Sequence, residues 1–215
     1  MSTAVKKANT FSNQDMQVAA AVRKDAGGGM ASADGAFSPL SVDANSCLRV
    51  NTERQTAMYD MVASGLSVAA SATDILTING SATKKVAVHE IVVNGSATTA
   101  INTPVSIIRR STAGSGGTSA ALTIVRRDLA DSTATATAQS FTANPTVGTA
   151  VGTIASKNCH FNTATTVSGG ATFTFNPPVI LGDASATLAV SLGGVTVAGG
   201  SLNITATIDE RPTTA

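Results

Sequence analysis

The sequence predicts an all-β protein: an antiparallel β-sandwich, jelly-roll-like, preceded by an extended N-terminal arm. Three observations predict it. From Ile75 onward, short apolar runs alternate at period two and recur at the spacing of a sandwich, separated by turns rich in Gly, Asn and Pro. Between Ser132 and Ile208, 77 residues hold only two charged side chains, Lys157 and Asp183, among Thr, Ala, Ser, Gly and Val. No stretch in this region keeps helical periodicity over three turns.

Residues 1–55 read as the arm and residues 56–215 as the sandwich domain. The arm is irregular, broken by Gly27-Gly28-Gly29, Asp34-Gly35 and Ser38-Pro39. Gln17 to Lys24 has the makings of a short helix. Pro39 to Val42 and Leu48 to Val50 alternate around Asp43-Ala44-Asn45-Ser46, the pattern of a small hairpin. The arm has too little apolar content to fold alone, so it is expected to become ordered against a partner. At about 3.3 Å per extended residue, some fifty residues reach on the order of 150 Å. Met58 to Ala70 is expected to begin as a helical turn and to run on as a linker, which places Tyr59 outside the sandwich.

Strands are then expected at Ile75–Ile78, Val86–Val93, Val105–Ile108, Leu122–Val125, Thr133–Phe141, Thr149–Ile154 and Thr172–Phe175, followed by Val179–Leu181, Thr187–Leu192, Val195–Val197 and Leu202–Ile208. Asn79-Gly80, Asn94-Gly95 and Gly199-Gly200 carry hairpin-turn chemistry. Within Val86–Val93 the apolar phase shifts from Val86 and Val88 to Ile91 and Val93, which calls for a β-bulge near His89-Glu90. Ser111–Ala121, Asp128–Ser132 and Asn176–Pro178 read as loops.

Composition narrows the function. Charged residues are 13% of the chain, about half the usual share. A net charge of +1 gives no long-range field to gather nucleic acid or anionic lipid. Ala184 to Ile208 is uncharged for 25 residues, but its Ser, Thr, Asn and Gly and its period-two alternation argue against a membrane helix. Lys6 and Lys7 are followed by Asn, Thr, Ser, Gln and Asp instead of an apolar run, so no secretory signal is expected. The sequons at Asn79, Asn94 and Asn203 are accordingly not read as glycosylation sites. A low-charge chain with many small side chains is expected to bury further surface against neighbours, as a homo-oligomer with a trimer favoured.

Catalytic groups are scarce. His89 and His160 each lie beside at most one other metal-binding residue type, so neither metal nor cofactor is expected. No Gly-x-Ser-x-Gly elbow accompanies the serines, and the carboxylates are few; the expectation is that the chain is not an enzyme. Cys47 and Cys159 are expected as free thiols in a reducing compartment, with a disulfide between them as the alternative. The one concentration of charge is the pair of doublets Arg109-Arg110 and Arg126-Arg127, flanking Ser111 to Thr118. If the flanking strands pair, four guanidinium groups share one end of the sandwich and suit a phosphate or carboxylate partner. The other reading has them solvated, or paired with Asp128 and Asp131.

Two regions resemble a known class. Val18-Ala-Ala-Ala-Val-Arg-Lys-Asp25, Asp34-Gly-Ala-Phe-Ser-Pro-Leu-Ser-Val-Asp43 and Leu48-Arg-Val50 resemble a segment that recurs in tailed-bacteriophage virion proteins; here Asn45-Ser46-Cys47 stands where that segment has its turn glycine. Arg110 to Ser119 and Phe141 to Thr149 resemble stretches of phage structural proteins with a β-sandwich. The resemblance implies a virion structural protein, foremost a capsid decoration or cement protein made in the host cytoplasm and carried on the capsid surface. Its implied partners are the major capsid protein and copies of itself, without nucleic acid or membrane. Candidate contact residues are Phe37, Pro39, Leu40, Val42, Leu48 and Val50 in the arm, and Arg109, Arg110, Arg126 and Arg127 in the sandwich. A head–tail connector or fibre component is the alternative within the class. A receptor- or carbohydrate-binding module is the alternative outside it, weakened by the absence of Trp.

Overall fold

A computed structural model describes residues 56–163 and 169–212, all within a compact unit spanning Gln55–Ala215. The expected helix at Gln17–Lys24, the hairpin at Pro39–Val50, Cys47 and the six arm contact residues lie outside the described residues. The described chain is all β. Its strands are β1 (Ala57–Leu66), β2 (Ala72–Asn79), β3 (Lys84–Ser96), β4 (Ile101–Arg110), β5 (Ser119–Ala121) and β6 (Ile124–Arg126). They continue as β7 (Thr137–Phe141), β8 (Ala150–Phe161), β9 (Ala171–Leu181), β10 (Thr187–Val195) and β11 (Ser201–Pro212).

Two antiparallel sheets form, one ordered β6-β1-β11-β3-β9 and the other β5-β7-β2-β10-β4-β8. Without β5, β6 and β7 the orders become β1-β11-β3-β9 and β2-β10-β4-β8. Successive strands then switch sheets at every step except β4 to β8, which is the eight-stranded jelly roll. The segment between β4 and β8 is an insertion, and its three strands extend the β1 edge of one sheet and the β2 edge of the other.

Period-two alternation puts one residue set of each sheet into a common core. Tyr59 and Met61 of β1, Ile204 and Ile208 of β11, and Phe173 of β9 meet Leu76, Ile78, Ile107, Leu188, Val190 and Phe161 of the other sheet. Each such side chain, fully buried, contributes roughly 1.5–3 kcal/mol. The expected bulge is present. Glu90 pairs with Thr207 and Val88 with Ile208, so His89 is the extra residue that lets both apolar phases face inward.

Several expectations are corrected. Met58 to Leu66 is neither helical turn nor linker but most of β1, and Tyr59 is a fully buried core residue. Its Met and Ala, good helix formers, hide an alternation that burial makes plain. The Asn-Gly pairs are not hairpin turns. Asn79-Gly80 ends β2 before the chain crosses to the other sheet, and Asn94-Gly95 lies inside β3 opposite Asn203 and Leu202. Gly199-Gly200 likewise joins strands of different sheets. Thr172–Phe175 and Val179–Leu181 belong to one strand, β9, which runs through Asn176-Pro177-Pro178 with a cis Asn176–Pro177 bond. Val195–Val197 is no separate strand, because β10 ends at Val195.

Candidate interaction surface

The strands that carry the arginine doublets do not pair: β4 lies in one sheet and β6 in the other. The four guanidinium groups therefore go to different places. Arg110 is buried and makes a two-pronged ion pair with buried Asp74, Nε to Oδ2 at 2.7 Å and Nη2 to Oδ1 at 2.8 Å, while Nη1 donates to the Gly148 carbonyl at 2.7 Å. Arg110 registers with Thr187 of β10 and Asp74 with Ser191, so the pair reaches obliquely across β10. Ala189, between them in the register, is fully buried. The Gly148 contact ties the end of the insertion to that face.

Arg127 is more exposed and grips Asp60 of β1 with Nε and Nη2 at 2.6 and 2.8 Å, and Thr207 donates to the same carboxylate at 2.7 Å. The guanidinium holds the Asp60 carboxyl below its ordinary range against the opposing effect of burial. Arg126 donates to the Asp131 backbone carbonyl at 2.6 Å. Arg109, one residue from Arg110, points to the opposite face, as alternation requires. Three of the four arginines thus stitch the insertion or its neighbours together.

Two further structural carboxylates stand at the end of β11. Glu210 Oε1 accepts from the amides of Thr135 and Ala136 at 2.5 and 2.7 Å and from the Thr135 hydroxyl at 2.9 Å, while Oε2 accepts from Lys84 Nζ at 2.9 Å. Burial alone pushes the Glu210 carboxyl up; the Lys84 ammonium and the two amides outweigh it and hold it below the usual range. Tyr59 donates its hydroxyl to the Ser132 carbonyl at 2.9 Å, so residues 132–136 are strapped across this end of the sandwich. Asp209, the residue before it on β11, is buried and bonded to His89 Nε2 at 2.8 Å and to Arg211 Nε at 2.9 Å. Sequence reading missed Glu210 and Asp209, since a carboxylate near the end of a strand looks solvated until its register shows what covers it.

This arrangement offers little chemistry. Among the described residues no group of three or more His, Cys, Asp or Glu converges to hold a metal ion. His160 stands on β8 and His89 on β3, in different sheets. A shallow recess of about 410 Å³ is lined by Asn94, Gly95, Ser96, Ser201 and Asn203, with no ionisable side chain. Cys159 is a free, buried thiol whose pKa burial raises, which disfavours the nucleophilic thiolate. Among the described residues no helix is long and apolar enough to cross a membrane.

What the surface does present is apolar. Val62, Val125, Leu129, Val147, Val151 and Ile154 are exposed, Leu129 most of all at 82%. Sequence reading passed over all six; a leucine in the polar turn Asp128-Leu129-Ala130-Asp131 was the one visible signal. The sheet edges are blunted. β5 and β6 have three residues each, and β9 carries Pro177 and Pro178, which lack N–H donors. On β8, the register leaves Val151 and Ile154 without partners on β4, as bulges, and Lys157 sits opposite buried Val105. Its ammonium donates to the Thr172 carbonyl of β9 and lies 5.5 Å from the centre of the Phe173 ring.

No protein-family model, curated protein or solved structure matches the chain.

Proposed function

We propose that this chain is a structural protein of a bacteriophage particle, its sandwich a decoration module that binds and stabilises the capsid shell. The observation that carries the reading is the use the sandwich makes of its charges. Asp60, Asp74, Asp209 and Glu210 are all engaged in ties between strands or between the insertion and the sandwich. An active site needs the opposite, titratable groups converging in a cleft with a free face toward substrate. The resemblance of the arm segments and of Arg110–Ser119 to phage virion proteins supplies the setting. A jelly roll with blunted edges suits a module that must sit among many copies without fusing sheets with them. The aromatic rings of the described residues are buried or half-buried, which weighs against a sugar-stacking site.

Counting this chain against the major capsid protein in purified particles, by quantitative mass spectrometry, tests the proposal. Hundreds of copies support decoration. About a dozen or fewer support a connector or fibre, and absence from the particle overturns the virion reading.

A further inference from the structure

Five of the six exposed apolar side chains form two groups on opposite flanks of the sandwich. Val62 on β1, Val125 on β6 and Leu129 just beyond it line the flank where β1 packs against β7. Val125 registers with Asp60, two residues from Val62 on the same face of β1. Val151 and Ile154 lie on β8, on the flank where β8 packs against β9. We propose that these flanks are the two halves of a head-to-tail interface between copies of this chain.

Three features point to a second copy as the occupant. The blunted edges oppose joining of sheets through the backbone, so contact at these flanks falls to side chains. The projecting residue of the first flank is also held in place. Asp131 donates its amide to the Asp128 carbonyl at 3.1 Å, Ala130 donates to Asp128 Oδ1 at 2.9 Å, and Arg126 clamps the Asp131 carbonyl. A leucine carried on a turn fixed in this way loses little conformational freedom on docking.

The third feature is charge. Leu129 stands between two carboxylates, Asp128 and Asp131, whereas residues 132–182, which include all of β8, contain no Asp or Glu. β8 offers instead Lys157, while Arg109, opposite Gly152, stands near Asp183. An acidic turn therefore faces a strand whose one charged side chain is a lysine, and turn against turn or strand against strand would set like charges together. That asymmetry defines a heterologous contact, which closes into a ring when the rotation between neighbours permits. Each apolar group is smaller than the roughly 800 Å² per partner of a standard interface, so it forms the centre of a contact rimmed by Thr and Ser. The inference does not depend on the virion reading.

Light scattering on the size-separated full chain, over a range of concentrations, tests it. The parent is expected as an oligomer, and Leu129→Asp and Val151→Asp, both at exposed positions, are each expected to run as folded monomers; Leu129→Ser and Val151→Ser serve the same purpose if either aspartate variant unfolds. Mixing the Leu129 and Val151 variants should restore a dimer, because each chain keeps the half that the other has lost. A parent monomeric at every concentration overturns the proposal, and so does dissociation by only one of the two substitutions. A mixture that stays monomeric overturns it too, since the half that each variant keeps would then not be the complement of the other.

Discussion

Replacing Glu210 with Gln removes one charge and keeps the shape, and the geometry says what is lost. Thr135 N, Thr135 Oγ and Ala136 N all bond to Oε1, which the amide retains as a carbonyl. Lys84 bonds to Oε2, and there the variant puts an NH₂ donor against an ammonium. One buried charge-assisted bond becomes a donor–donor clash, a loss of about 1.5–3 kcal/mol. For a chain of this size that is a fall in Tm of about 3–12 °C. The pH dependence follows from the sign of the shift. The folded carboxyl titrates below its ordinary value of 4.5, so the unfolded chain binds the proton more readily. The stabilisation is complete above 4.5 and is lost as pH falls through the folded pKa. Thermal unfolding of parent and variant, followed from pH 7 into acid, should therefore show a gap that narrows as pH falls below 4.5. At pH 7, amide exchange at Thr135 and Ala136 should quicken by about 10- to 100-fold in the variant. A gap independent of pH, or no gap at pH 7, refutes the assignment of Glu210 as the strap's anchor.

Other substitutions probe the remaining ties. Arg110→Met alone strands Asp74 and should cost about 3–5 kcal/mol in urea unfolding, while Arg110→Met with Asp74→Leu should recover most of it, because the desolvation penalty goes with the pair. Lys157→Val removes the inward charge that guards the β8 edge, and larger species should appear on size-exclusion chromatography within the native temperature range. Gly80→Ala should destabilise by about 1–3 kcal/mol, since a Cβ there would lie 2.2 Å from the Asp183 carbonyl oxygen; an unchanged Tm would mean that this approach is loose.

Gly80 also shows where sequence reading stops. Asn79-Gly80 after an apolar run has the chemistry of a hairpin turn, yet glycine is needed there because a backbone from another part of the chain comes close. Gly95 is similar, with φ at +156° inside β3 and the Ser201 carbonyl 2.4 Å from where a Cβ would stand. Period-two alternation reports which residues face inward but not which strand comes next. In a jelly roll consecutive strands mostly lie in different sheets, so turn chemistry misleads about pairing. The bulge at His89 was legible because burial on both sides of it forces the phase to change. β1 was not, because its inward residues are Tyr, Met and Ala instead of β-branched ones. The arginine doublets stood out by composition, but whether each is solvated, paired or buried depends on register. Arg110 finds its acid 36 residues away and Arg127 finds one 67 away.

The chain enters β1 at Ala57, directly opposite Glu210 near the far end of β11, and β1 is held on both sides, by β11 and by β6. A pull delivered along the strand axis through the residues before Thr56 loads these ladders lengthwise. Hydrogen bonds in that geometry must fail together, whereas a pull across the strand would peel them one at a time. Glu210 stands at the loaded end, where its bonds to Lys84 and to residues 135 and 136 lock β11, β3 and the insertion together. A load applied at Ala57 is therefore shared at once among three parts of the sandwich.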